Sequence, residues 1–329
     1  MHGTAGRALA GIALATALLA SGCSINPAWQ LTKAAPDVPP VLVGQVPFHS
    51  QTDHQCGPAA LAMVLGASGL AITPEALVPQ VYLPGREGSL QLELVAATRR
   101  AGRIPYVVQA SPDALIAELR EGRPVLVLQN LLTRSVPRWH YAVLVGSDQT
   151  RNRLILHSGT RKGLEVTAPK FLRTWDWAGR WAVVALRPGE LPAEAEPAAY
   201  LSSVADFERV AGADAAQPAY EAALRRWPAD PRVHLALGNA AHATGELDGA
   251  ARHYRDGLAQ APADPVLGNN YASVLGELGC RVEARAALDA AFRASGEQGR
   301  WNAQLGETAS ELAASTATRS DACDAFADR

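Results

Sequence analysis

Residues 41–187 predict an α+β domain with a largely antiparallel sheet, and residues 198–315 predict an all-helical repeat array. Three observations carry this reading. Capped, helix-forming segments crowd the front of the chain and β-rich runs cluster after them, the order of an α+β unit rather than of alternating βαβ units. Between 188 and 197, Gly189, Pro192 and Pro197 among alanines and glutamates mark a linker. Beyond it the chain turns alanine-rich, and its small and aromatic residues recur with a period of about 34.

The elements follow in order. Cys56-Gly57-Pro58 opens an apolar helix whose Leu61, Val64 and Leu65 give a buried face. Thr73-Pro74-Glu75 starts a capped helix. A further helix covers 89–101 and closes at Gly102, and Ser111-Pro112-Asp113 starts one that ends at Gly122. Strands are expected at 104–108, 124–128, 140–146, 153–157, 164–167 and 181–186.

The 329 residues allow about two domains. A hydrophobic share of 48% against 19% charged residues belongs to a chain that buries a core, not to a disordered one. The formal net charge is -2 and no dense basic stripe occurs, which argues against a nucleic-acid partner. Arg99, Arg100 and Arg103 read as a solvated helix end.

The front of the chain reads as a targeting segment. Arg7 precedes an apolar run, Ala8 to Leu19, too short for a permanent membrane span. Leu19-Ala20-Ser21-Gly22-Cys23 then resembles the bacterial lipobox, with Ala20 where Leu is more usual. That resemblance implies a signal peptide over 1–22, lipidation of Cys23, a tether over 23–40 and, with Ser24 next, transport to the outer membrane facing the periplasm. In a plain secretory signal, the alternative, Cys23 would be incidental. Either way the mature chain leaves the cytoplasm for an oxidising compartment. Of its four cysteines, Cys280 and Cys323 are then candidates for a disulfide.

Cys56 carries the chemistry. A sulfur at a helix N-terminus meets unpaired N–H groups and the positive end of the dipole, both of which favour thiolate. A thiol nucleophile needs a base, and His140 opens the apolar strand Trp139-His140-Tyr141-Ala142-Val143. It needs oxyanion donors, for which Gln51 and the backbone N–H of Cys56 are candidates. Metal binding is the rival use of His49, His54, Cys56 and His157, but the spacing is not that of a familiar zinc site and no second ligand follows Cys56 at one-turn spacing. No metal and no cofactor is expected.

In the helical part, Leu237, Gly238, Ala250, Tyr254, Gly257 and Pro262 fall at the offsets of one tetratricopeptide repeat. Tyr271, Ala272, Ala284, Leu288 and Ala291 mark the next, and Tyr220, Ala223 and Pro228 a degenerate unit before. Residues 301–314 would cap the stack, with the tail at 316–329 frayed.

Gln51, Cys56-Gly57-Pro58 and His140-Tyr141-Ala142-Val143 resemble the papain-like peptidases that trim leader peptides after a double glycine. More closely, the whole chain resembles a family of lipoproteins joining such a domain to tetratricopeptide repeats. The resemblance implies an α+β papain-like cysteine peptidase domain followed by an all-α tetratricopeptide-repeat solenoid. Cys56 would be the nucleophile, His140 the general base and Gln51 part of the oxyanion hole. Leader peptidases usually carry Asp or Asn about sixteen residues beyond the base. Here Leu156-His157-Ser158-Gly159 stands in that region, so His157, Ser158, a water or a backbone carbonyl would orient His140; Asp148 is expected in a turn. The resemblance implies hydrolysis of a peptide or protein substrate with a small residue before the cut, and a protein partner on the repeats. A scaffold that binds peptides without turnover is the alternative, and thioester transfer to an amine is a third use of the same site.

Overall fold

The computed structural model describes residues 39–50 and 55–327. Cys23, Gln51 and His54, with the signal segment and most of the tether, lie outside the described residues.

One antiparallel sheet organises the first domain. Its path is β2 (Ile104–Val107), β7 (Ala182–Leu186), β3 (Val125–Asn130), β4 (Trp139–Asp148), β5 (Arg153–Ser158) and β6 (Arg161–Thr167). A two-residue β1 (Val41–Leu42) pairs with Ser147 and Gly146, beyond the stretch of β4 that β3 covers. A Cβ on Gly146 would sit 2.7 Å from the Val41 carbonyl oxygen, so this close approach requires glycine. The register between β4 and β5 shifts at the same place. Every residue of β3 is buried, so both faces of the central sheet are covered.

The central helix is α1 (Cys56–Ala67), buried without a break from Gly57 to Leu65. Such all-round burial suits an all-apolar sequence better than an amphipathic one. Against it lie α2 (Pro74–Val81) and α3 (Gln91–Arg100), while α4 (Pro112–Arg120) packs on β1, β3 and β4. Thr73 and Ser111 cap α2 and α4 by accepting from the N–H groups of Ala76 and Ala114. Gly102 and Gly122 end α3 and α4 at φ of 74° each, the left-handed position that glycine takes freely. Sequence reading missed α5 (Ala168–Asp176), which continues directly from β6 and buries Phe171, Leu172 and Trp175.

The C-terminal part pairs α6 (Pro197–Ala211) with α7 (Ala213–Arg226), α8 (Pro231–Ala243) with α9 (Leu247–Gln260), and α10 (Pro265–Glu277) with α11 (Arg281–Ser295). A final helix, α12 (Asn302–Ala314), follows them. Small residues set the spacing: a Cβ on Gly238 would lie 2.3 Å from the Tyr254 ring.

Two expectations change. The segment at 188–197 is docked rather than a free linker. Pro192 is buried, the Ala193 N–H donates to Glu118 at 2.8 Å, and the Tyr200 hydroxyl donates to the Glu190 carbonyl at 2.9 Å. One hydrophobic core therefore runs from the sheet into α6, α7 and α8, and Arg99 on α3 pairs with Asp206 on α6 at 2.5 Å. The tail is not frayed through its described length either. Cys323 is bridged to Cys280, and Phe326 is buried edge-on to Tyr271 with the Arg255 guanidinium over its ring. The covalent link and an aromatic anchor outweigh the polar composition of the segment.

Candidate active site

Cys56 is the first residue of α1, held there by the fit of the next residue. A Cβ on Gly57 would meet Ser89 Oγ at 2.3 Å and Ser89 Cβ at 2.6 Å. Only glycine lets the helix start against that loop, and Pro58 fixes the backbone one residue on. His140 is the second residue of β4, opposite Gln129 on β3, and is half-buried. Cys56 and His140 line one cleft of about 810 Å³, together with Ser89, Leu128, Trp139 and Tyr141.

Strand geometry decides which side chain stands beside His140. Val143 stands opposite His157, so alternation puts His157 on the face of Tyr141 and Val143, and Ser158 on the face of His140 and Ala142. His140 Nε2 lies 2.9 Å from Ser158 Oγ. His157 points elsewhere: its Nδ1 accepts the Gly163 N–H at 3.2 Å, and its ring packs edge-on to Phe48 at 5.4 Å. The expectation that His157 serves His140 is thus corrected in favour of Ser158. Asp148 ends β4 and is engaged locally, accepting from Thr150 Oγ1 at 2.7 Å and from the Arg151 N–H at 2.9 Å.

Electrostatics correct a second expectation. Burial pushes the Cys56 thiol above its ordinary value, and backbone N–H groups of Tyr141, Gly57 and Cys56 itself offset this only in part. At this helix N-terminus burial thus opposes the thiolate that the position itself favours. Burial likewise lowers His140 to about 4, with the Arg138 charge adding to the effect. Both shifts favour the neutral thiol and imidazole over the ion pair. Among the described residues no three His, Cys, Asp or Glu side chains gather to hold a metal ion.

A half-buried thiol and an imidazole lining one cleft, the imidazole beside a hydroxyl, are the groups that acyl transfer through sulfur would require. Residues 43–183 match the Peptidase_C39 like family, and residues 206–265 match the Tetratricopeptide repeat family. The chain carries a C39-like peptidase-family domain followed by tetratricopeptide repeats. A solved structure of a C39-like peptidase from Bacillus anthracis is similar at 18% identity and a TM-score of 0.39, covering 46% of this chain and 98% of that one. No curated protein matches the chain.

Proposed function

We propose that this protein is a cysteine peptidase of the bacterial envelope that cleaves peptide bonds through a thioester on Cys56. The observation that carries the reading is the cleft shared by Cys56 and His140, with His140 Nε2 on Ser158 Oγ. When Nε2–H donates to Ser158, Nδ1 keeps the lone pair and is the base. With the neutral pair favoured, the proton leaves the sulfur as it attacks the carbonyl carbon, and His140 takes it up. The backbone N–H of Cys56 and the side chain of Gln51 are assigned to the oxyanion. Collapse breaks the C–N bond, and the amine departs with the proton from His140. Water then attacks the thioester, gives a proton to His140, and releases the acid as that proton returns to sulfur.

A thiol-directed peptide electrophile tests this. Intact-mass mapping should find a single adduct on Cys56, absent from Cys56→Ser and formed about a hundredfold more slowly in His140→Ala. Equal labelling of Cys56→Ser would remove Cys56 from the mechanism. The neutral pair and the hydroxyl partner favour a second reading, a cleft that binds extended peptides with little turnover. Labelling no faster than that of an ordinary free thiol, beside measurable peptide binding, would select it.

The envelope location rests on the lipobox-like Leu19 to Cys23. A lipid on Cys23 would tether the protein to the outer membrane facing the periplasm, and the repeats would recruit a substrate or partner protein. Incorporation of labelled fatty acid, lost in Cys23→Ala, tests the anchor.

A further inference from the structure

We propose that the β3–β4 hairpin tip is a membrane-contact element that inserts into an anionic phospholipid surface. Residues 131–139 are exposed without interruption, and four of them are large and apolar: Leu131 at 44%, Leu132 at 52%, Val136 at 61% and Trp139 at 55% exposure. Scattered single hydrophobics need no explanation, but three on one turn with a tryptophan at the strand start beside them do. The turn is rigid. The buried Asn130 side chain accepts from the N–H groups of Leu132 and Arg138 at 3.2 and 3.0 Å and donates to the Thr133 carbonyl at 2.7 Å. Leu131 N–H also donates across the hairpin to the Arg138 carbonyl at 2.8 Å. A tip ordered in advance loses little entropy on docking.

Shape and charge choose the occupant. A small-ligand site is concave, whereas this is the protruding end of a hairpin. The segment Leu131-Leu132-Thr133-Arg134-Ser135-Val136-Pro137-Arg138-Trp139 contains two arginines and no carboxylate. Arg134 pairs with Asp176 Oδ2 at 2.8 Å, but that single carboxylate is shared with Arg180, so one acid stands against two guanidiniums there and Arg134 keeps a 69% exposed side chain. Apolar residues at the tip with tryptophan and arginine beside them form the pattern of an interfacial anchor, with Trp and Arg at the headgroup level. Each arginine near an anionic surface strengthens partitioning about fivefold.

The consequence is positional. Arg138 and Trp139 also line the cleft that holds Cys56. Insertion would set the cleft mouth at the membrane surface, within reach of chains emerging from it. The inference does not depend on Cys56 being catalytic or on a lipid at Cys23.

The test uses the full chain on vesicles carrying brominated acyl chains, with phosphatidylglycerol in phosphatidylcholine or phosphatidylcholine alone. The fluorescence difference between wild type and Trp139→Phe isolates Trp139. That difference should lose most of its intensity on anionic vesicles and less on neutral ones or in high salt, and the loss should vanish in the double variant Leu132→Ser, Val136→Ser. Both positions are exposed, so the variant keeps its fold. Trp139 left unquenched, quenched equally on neutral lipid, or quenched equally in the double variant would each overturn the proposal. An unquenched Trp139, with a raised KM for a peptide substrate in the double variant, would reassign the tip as a rim that grips apolar residues of the substrate.

Discussion

Ser158 limits how strongly His140 can act as a base. A hydroxyl orients the imidazole through one hydrogen bond but brings no charge to stabilise imidazolium, unlike a carboxylate. Ser158→Ala should therefore lower kcat about tenfold or less, the worth of one such bond, with KM little changed. Ser158→Asp should move the acid limb of the rate profile to higher pH, because a carboxylate raises the value of its histidine partner. In the native protein that limb should lie near pH 4, where His140 is protonated, and not near the ordinary 6.5. The same shift affects stability. Between those values the unfolded chain holds a proton on His140 that the folded one does not, so stability falls as pH drops from 6.5 toward 4. His157→Ala should cost about 1–3 kcal/mol of stability through lost packing on Phe48, with kcat unchanged. Cys56 and His140 were legible because each sits in a local pattern. Ser158 against His157 was not, because a one-residue difference along β5 switches the face of the sheet. The suppressed thiolate was equally hidden, since burial is set by segments far away in sequence.

Helix α1 reaches the cleft because Gly57 has no side chain. Gly57→Ala should cost about 1–3 kcal/mol and displace the sulfur, lowering kcat. Adding Ser89→Gly removes both clashing atoms and should restore much of each, measured by denaturant unfolding and turnover of the single and double variants. In the repeats, Gly238→Ala forces a methyl onto the Tyr254 ring and should separate α8 from α9 at a similar cost, without touching the peptidase rate. Most elements were readable from caps, terminal glycines and the change of hydrophobic period. Helix α5 escaped because Thr167 ends β6 and caps nothing with its side chain, and Ala168-Pro169-Lys170 gives a weak start. Its identity comes from Phe171, Leu172 and Trp175 packing on the sheet, a tertiary effect.

The two parts of the molecule share one core across 188–197, so a variant that loosens α6 should be felt in the sheet. The outer repeats form separate cores, held at their end by the bridge between Cys280 and Cys323. Those cysteines lie 43 positions apart, and closing such a loop stabilises by about 4 kcal/mol on chain-entropy grounds. Reducing the bridge, or Cys280→Ser with Cys323→Ser, should lower the unfolding midpoint of the repeats while electrophile labelling of Cys56 persists. Composition set the two-part architecture in view, but the docking of 188–197 and the return of the tail depend on long-range contacts that no local pattern displays. At the scale of the whole chain, the proposed activity is peptide-bond cleavage by Cys56. Its most direct test is to incubate the full chain with a complex peptide mixture and identify new termini by mass spectrometry, beside Cys56→Ala. New termini that appear with wild type and vanish with the variant are the predicted result; none, or the same set from both, would contradict it.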